Sequence, residues 1–380
     1  MIREHRLFHT LRRSTFVLAG GALCISFLAV SPGGASTSSR STDQKIAAAK
    51  VVAAEKTPTF KANSSIDMSK LKGKVVTILT STNAVPFVFS IAQGVQQAAS
   101  LAGWKSTIVN GQGSVTQWSQ VVMQAVSQKV DGIITVGASP AEFKPAVAAA
   151  KAAGIPVVDV LTADQQRDPL VRGDFAHVSI SFYDSGELQA DYVIANGAAN
   201  AHILILGDNE FPGEVTRVQG MQHEFKTLCP NCKVTVHDNQ VANLGTTLQS
   251  TTETLLRADS KIKWVLPTYD AQGLYVIAGI KAAGLASSVE VVGSDAVASN
   301  LALVKTGAVQ VADVGEPSIQ SGWAGVDMMA RAMLGKPAVQ PNIPLRMFVK
   351  SNLIGENVNN SGSLFGNTFI GQYKKIWGLH

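Results

Sequence analysis

The chain has 380 residues, 46% of them hydrophobic and 16% charged, which is long enough for two ordinary domains with sizeable cores and too apolar for a disordered chain. Most of its formal charge of +5 sits in the first 35 residues, where Arg3, Arg6, Arg12 and Arg13 face only Glu4. The remainder is nearly balanced and holds no basic run, which argues against nucleic acid as a partner.

The first 35 residues read as a signal peptide: an Arg-rich start, an apolar stretch over 16–30, then Gly33 and Ala35 before a cut near Ser36. An exported protein follows, placed in the periplasm or at the cell-envelope exterior. A retained anchor is the competing reading, since the apolar stretch is close to the shortest that spans a bilayer. Leu23 before Cys24, with apolar sequence continuing to Val30, is a poor lipoprotein site. Arg12 and Arg13 resemble a twin-arginine signal with Phe16 one place late, which leaves the export route open. Residues 36–71, rich in Ser, Thr, Ala and Lys with Phe60 as the one aromatic, read as a flexible linker with room for a short helix over 45–56.

From Lys72 onward short apolar runs alternate with helical stripes, the pattern of βαβ units around a parallel sheet. Strands are predicted over 75–80, 105–109, 132–136 and 156–160. The helices between them cover 87–101, a segment with the stripe Trp118, Val121, Val122, Ala125 and Val126, and 141–153, which Gly154 stops as a left-handed cap. Charge, Pro and Gly over 161–176 break the rhythm and predict a surface loop near a domain boundary. It restarts with strands over 177–181, 202–206, 233–236, 263–267 and 289–293, and helices over 183–196, 214–228, 246–258, 271–283 and 301–306. Residues 309–314, a helix over 320–334 and an extended 344–349 finish the core, and the tail from 351 is expected to pack across one domain. The fold class is α/β, with two similar doubly wound parallel-sheet lobes and no near-identical repeat.

The turn after the first strand is the first candidate site, because ligands of open α/β sheets bind at strand carboxyl ends beside helix N-termini. Asn83 is placed to hydrogen-bond a polar solute, and Phe87 or Phe89 to cover its apolar face. The competing reading has Pro86 starting the helix and both Phe side chains in the core. Asn110, Gly111 and Gly113 hint at a phosphate cradle, but Thr116 stands where a dinucleotide fingerprint needs its third Gly. No Walker A sequence, nucleophile elbow or His-Glu-x-x-His zinc signature is present, so neither an enzyme, a cofactor nor a metal is expected.

With the signal peptide removed, Cys229 and Cys232 are the remaining cysteines, and an exported compartment permits a disulfide between them. A redox pair or half a metal site are the alternatives. Redox pairs usually open a helix, whereas this pair closes one, and no second Cys pair or His cluster completes a metal site.

Several motifs together resemble the type 1 periplasmic binding proteins of ABC sugar importers, the ribose-binding-like group, over about 72–350. Asn83, Pro86 and Phe87 followed by Gln93, Gly94 and Gln96 are similar to the family's first ligand turn. Val130, Asp131 and Gly132, and then Gly154, Ile155 and Pro156, match its third and fourth strands. Arg217 with Gly220 resembles its hydroxyl-binding Arg, Tyr269 with Asp270 its Asn-Asp pair, Asp295 its main acidic ligand, and Glu316 with Pro317 a strand-to-helix crossing that supplies a polar contact. The resemblance implies an N-terminal lobe of 72–180 plus 317–342, a C-terminal lobe of 181–316 plus 343–380, and a three-crossing hinge. It implies no catalysis: an exported monomer captures a small sugar-like molecule with Asn83, Phe87, Phe89, Arg217, Tyr269, Asp270, Asp295 and Glu316, and delivers it to an ABC permease.

The departures matter too. Leu161 and Thr162 stand where the family has Asp-Arg, Tyr269 replaces Asn, and Val88 replaces a second aromatic, which points to a less hydroxylated or partly aromatic solute. A sensing ectodomain for a chemoreceptor or sensor kinase is the alternative role. Sugar-responsive repressors share the resemblance but carry a DNA-binding helix where this chain has its export signal.

Overall fold

In this computed structural model the described residues are 41–380, apart from 165, 166, 168, 169, 367 and 380. The expectations for the signal peptide, its cut, Cys24 and the anchor lie outside the described residues, as does part of the loop expected over 161–176.

The chain opens with helix α1 (Thr42–Ala54), closed at its N-terminus by a reciprocal capping box between Ser41 and Gln44. Then come β1 (Val75–Thr80), α2 (Pro86–Leu101), β2 (Lys105–Asn110), α3 (Val115–Ser127), β3 (Gly132–Val136), α4 (Lys144–Ala152), β4 (Val157–Val160) and β5 (Ala176–Val178). These strands make one parallel sheet in the order β2-β1-β3-β4-β5. The second half follows as α5 (Phe182–Asn196), β6 (His202–Gly207), α6 (Pro212–Leu228), β7 (Lys233–Asp238), α7 (Leu248–Ala258), β8 (Ile262–Pro267), α8 (Asp270–Ala282), β9 (Glu290–Asp295), α9 (Ala298–Thr306) and β10 (Gln310–Gly315). After α10 (Ser318–Met333) come β11 (Arg346–Val349), α11 (Ser361–Phe365) and α12 (Thr368–Ile376). The second sheet runs β11-β10-β9-β8-β6-β7, parallel except for β11.

Both sheets are doubly wound because their central strands are apolar on both faces and need helices on each side. Ile78 and Leu79 of β1, like Ile205 and Leu206 of β6, are wholly buried and point to opposite layers. Along α2, Val88, Ile91, Ala92, Val95, Ala98 and Ala99 recur at helical spacing and are buried as one stripe. Each fully buried Val or Ile contributes roughly 1.5–3 kcal/mol. Gly154 ends its helix at φ +73, a left-handed conformation that costs glycine nothing.

Two expectations fail at the termini. Residues 41–71 are not a tether: Ala47 and Val51 of α1 enter the core of the second sheet, and Phe60, Ile66, Met68 and Leu71 enter that of the first. The tail does not stay on one domain either. Leu364 and Phe365 pack with Phe348 and Leu301 beside the second sheet, whereas Phe369, Tyr373, Ile376 and Trp377 join the core of the first. Both ends therefore cross between the sheets and meet each other, with the Ile66 N–H donating to the Ile376 carbonyl at 2.7 Å and the Phe60 ring 5.0 Å from that of Tyr373. The composition of 36–71 hid this because a handful of anchoring apolar side chains suffices to order a polar segment.

Candidate functional site

Turns at the carboxyl ends of both sheets line a single cavity: Ser81, Gly137 and Leu161 after strands of the first sheet, and Val241, Tyr269 and Asp295 from the second. Three helices that follow those strands also open onto it. α2, α6 and α8 begin after Val85, Phe211 and Tyr269, each extended and none making a side-chain capping bond. Pro86 and Pro212 occupy the first turns of α2 and α6, where a missing N–H costs nothing. The residues before them are thereby freed from capping, and Val85, Phe211 and Tyr269 all line the cavity.

The two walls differ in chemistry. The first sheet contributes Ser81, Val85, Phe87, Val88, Gly137 and Leu161; the second contributes Phe182, Phe211, Gly213, Glu214, Arg217, Val241, Tyr269 and Asp295. The walls touch at the rim, where the Gly213 N–H donates to the Thr162 carbonyl at 3.2 Å, so the structure is closed.

Arg217 organises the polar wall. It is fully buried, donating to Glu316 at 2.9 Å, to Ser185 at 3.1 Å and to Ser294, with Glu214 3.1 Å from its Nε and the Phe182 ring 5.0 Å from its guanidinium carbon. Burial alone would lower its pKa, but the charges of Glu214, Glu316 and Asp295 outweigh burial and raise it. Burial pushes the Glu214 carboxyl up to about 8, with Arg217 pulling the other way. Asp295 is held well above the carboxylate range by burial and by the Glu316 charge. Tyr269 donates its hydroxyl to Asp208 at 2.8 Å, and burial raises Asp208 to about 7 against that bond. Asp295 also sits at φ +118, a strained backbone for a non-glycine residue and one found at ligand sites.

Of the residues singled out from the sequence, Phe87, Arg217, Tyr269 and Asp295 line the cavity; Asn83, Phe89, Asp270 and Glu316 do not. Asn83 is exposed, with its Oδ1 accepting from the Thr80 hydroxyl at 2.7 Å and its N–H donating to Asn110 at 3.0 Å, so its polar groups tie β1 to β2. Phe89 lies two positions beyond Phe87 on α2, which turns it to another face. Asp270 is buried behind the wall, accepting from the Val297 N–H at 2.8 Å at the start of α9. Glu316 reaches the cavity only through Arg217. Leu161 and Val88, noted as departures at ligand positions, also line the cavity, whereas Phe182, Phe211, Glu214 and Val241 were missed. Phe211 had a readable signal, since Phe211-Pro212 follows β6 as Val85-Pro86 follows β1.

Elsewhere, Cys229 and Cys232 stand side by side at the end of α6, with Cα atoms 5.3 Å apart. Among the described residues, Glu187, His223 and Glu224 are grouped closely enough to suit a cation, but the Lys50 ammonium already contacts Glu224 at 2.6 Å. No helix among the described residues is long and apolar enough to cross a membrane.

Comparison with known proteins places this architecture. Residues 75–337 match the model of the periplasmic binding protein domain. The D-apiose import binding protein of Actinobacillus succinogenes is 28% identical over 223 residues, 58% of this chain and 69% of that one. A glucose-galactose binding protein from Geobacillus stearothermophilus superposes with a TM-score of 0.66 at 19% identity, covering 74% of this chain and 99% of its own. A solute binding protein from Bacillus halodurans with bound myo-inositol gives 0.67 at 20% identity, covering 77% and 98%. These likenesses between structures concern the fold, which is that of a type 1 periplasmic binding protein. With two doubly wound sheets, a shared cavity at their strand ends and a family match across both, this chain belongs to the periplasmic binding protein domain family.

Proposed function

We propose that this chain is an exported binding protein that encloses one small sugar-like molecule between its two lobes and delivers it to an ABC permease without chemically changing it. The carrying observation is the cavity itself, lined by Phe87 from one lobe and by Arg217, Tyr269 and Asp295 from the other. Phe87 covers an apolar ring face, and the polar residues address hydroxyl groups. The lobes, roughly 72–180 with 317–342 and 181–316 with the segment after 342, close on the solute because only the closed form makes contacts on both sides.

Family membership supports this role, and the relative that imports D-apiose supports a carbohydrate as cargo. Removal of the signal peptide near Ser36, a monomeric mature chain that binds no nucleic acid and a disulfide between Cys229 and Cys232 belong to the same proposal. Thermal melting of the mature chain against a panel of pentoses, hexoses and cyclitols tests it. A binder present at a hundredfold excess over its dissociation constant stabilises by about 2.7 kcal/mol. A panel without any rise in melting temperature would sink the reading.

A further inference from the structure

The two walls of the cavity divide the chemistry between them. Among the described residues of the first lobe, Ser81 is the one polar side chain that lines it, beside Val85, Phe87, Val88 and Leu161. Every ionisable lining residue among the described residues comes from the second lobe: Glu214, Arg217, Tyr269 and Asp295. Of these, the one cation is Arg217, whose terminal nitrogens serve Glu316, Ser185 and Ser294 and whose Nε faces Glu214 at 3.1 Å, so its positive charge is already matched by acidic neighbours. The Tyr269 hydroxyl donates its hydrogen bond to Asp208, leaving its oxygen to accept. What the wall offers a ligand is mainly carboxyl and phenol oxygen. Ionised or neutral, the two carboxyl groups supply no positive charge.

Resting on the reading of the site as a sugar-like solute pocket, we infer that the ligand is an uncharged or cationic carbohydrate with its hydroxyls on one edge and an apolar edge opposite. A deoxy sugar fits this description, and sugar acids and sugar phosphates are rejected. Two physical costs set this preference. A hydroxyl turned toward Val85, Val88 and Leu161 loses water and gains no partner there. A carboxylate or phosphate entering the second-lobe wall meets buried carboxyl and phenol oxygens and a guanidinium whose charge is already paired with Glu316, and a buried charge without its own counter-charge is strongly disfavoured. Rejection by unpaired polar groups discriminates more sharply than added apolar contact does.

Calorimetry on the mature chain with sugars matched at one carbon tests this. One series is D-galactose, D-fucose and D-galacturonate; a second is D-glucose, its 6-deoxy analogue and D-glucuronate; D-galactosamine and galactose 6-phosphate complete the panel. In any series that binds, the 6-deoxy sugar is expected to match or exceed the parent hexose, and the uronate and phosphate to bind at least a hundredfold more weakly. A uronate or phosphate within tenfold of its parent overturns the inference while leaving the solute-binding reading intact, and so does a tenfold preference for the hexose over its deoxy form. If the folded protein binds neither these sugars nor the wider panel of pentoses and cyclitols, the solute-binding reading fails and the inference falls with it.

Discussion

Arg217 on α6 donates to Glu316 at 2.9 Å, and both are fully buried where β10 hands over to α10. The pair joins the cavity wall to one of the places where the chain crosses between the lobes. Removing one partner of such a pair strands the other in a medium that cannot solvate it. Glu316→Gln is therefore expected to destabilise the empty protein by on the order of 3 kcal/mol. Arg217→Met combined with Glu316→Leu is expected to regain much of that stability while abolishing ligand binding. Urea unfolding of both variants checks this, and a Glu316→Gln change below about 0.5 kcal/mol, a size typical of neutral surface substitutions, contradicts it.

Gly213 in the first turn of α6 approaches Phe182 so closely that an added Cβ would lie 2.6 Å from the ring. Phe182 is buried and forms part of the cavity wall. Gly213→Ala is expected to push the ring into the ligand space, at a cost of roughly 1–3 kcal/mol, typical of overpacking. Affinity for any ligand found should fall at least tenfold, as read by calorimetry. Unchanged affinity would mean that the wall yields.

Trp377, from the tail beyond the family match, stacks on Trp323 at 5.4 Å and donates its indole N–H to Asp327 at 2.8 Å. Asp327 is also paired with Arg331 at 2.9 Å in the same buried patch. Trp377→Ala removes a large buried ring and one partner of Asp327, for an expected loss of about 3–5 kcal/mol. Trp377→Phe should lose less, since part of the ring contact remains. A melting temperature within a degree of the parent for Trp377→Ala would show that the tail is dispensable.

Asp159 on β4 is buried and accepts from Thr135 at 3.1 Å and from Thr162. Burial raises its pKa to about 7, with the two threonine bonds acting against it. The folded state therefore favours the protonated acid. Its stabilising contribution is complete below the unfolded value near 4 and is lost as pH rises through about 7. Asp174, raised to about 8 by burial and by the Asp159 charge, acts in the same sense. Asp159→Asn should flatten the fall in melting temperature between pH 4.5 and 7.5. A pH profile parallel to the parent's would refute the assignment.

The Cys229 and Cys232 pair is expected to be oxidised after export. Mass analysis of the unreduced secreted chain should find no alkylatable thiol, and two labelled thiols would overturn this.

Much of the fold was legible because α/β architecture is written in local pattern. Short runs such as 75–80 are apolar on both faces, α2 carries its buried stripe at helical spacing, and Gly154 marks a helix end that L-residues resist. The same local logic found the turn after β1 and with it Phe87, whereas Arg217, Tyr269 and Asp295 were singled out by the resemblance to a known family. Tertiary structure decided what those residues do. Asn83 and Asp270 look like ligand groups in sequence, yet neighbouring strands and helices supply the donors that occupy them. The cavity's apolar lining from Phe182, Phe211 and Val241 meets Phe87 only across the closed cleft, a juxtaposition of segments far apart in the chain. The ends were the least readable. Phe60 and Trp377 belong to polar or irregular stretches, and what orders them is one apolar surface on the first lobe that neither stretch encodes by itself.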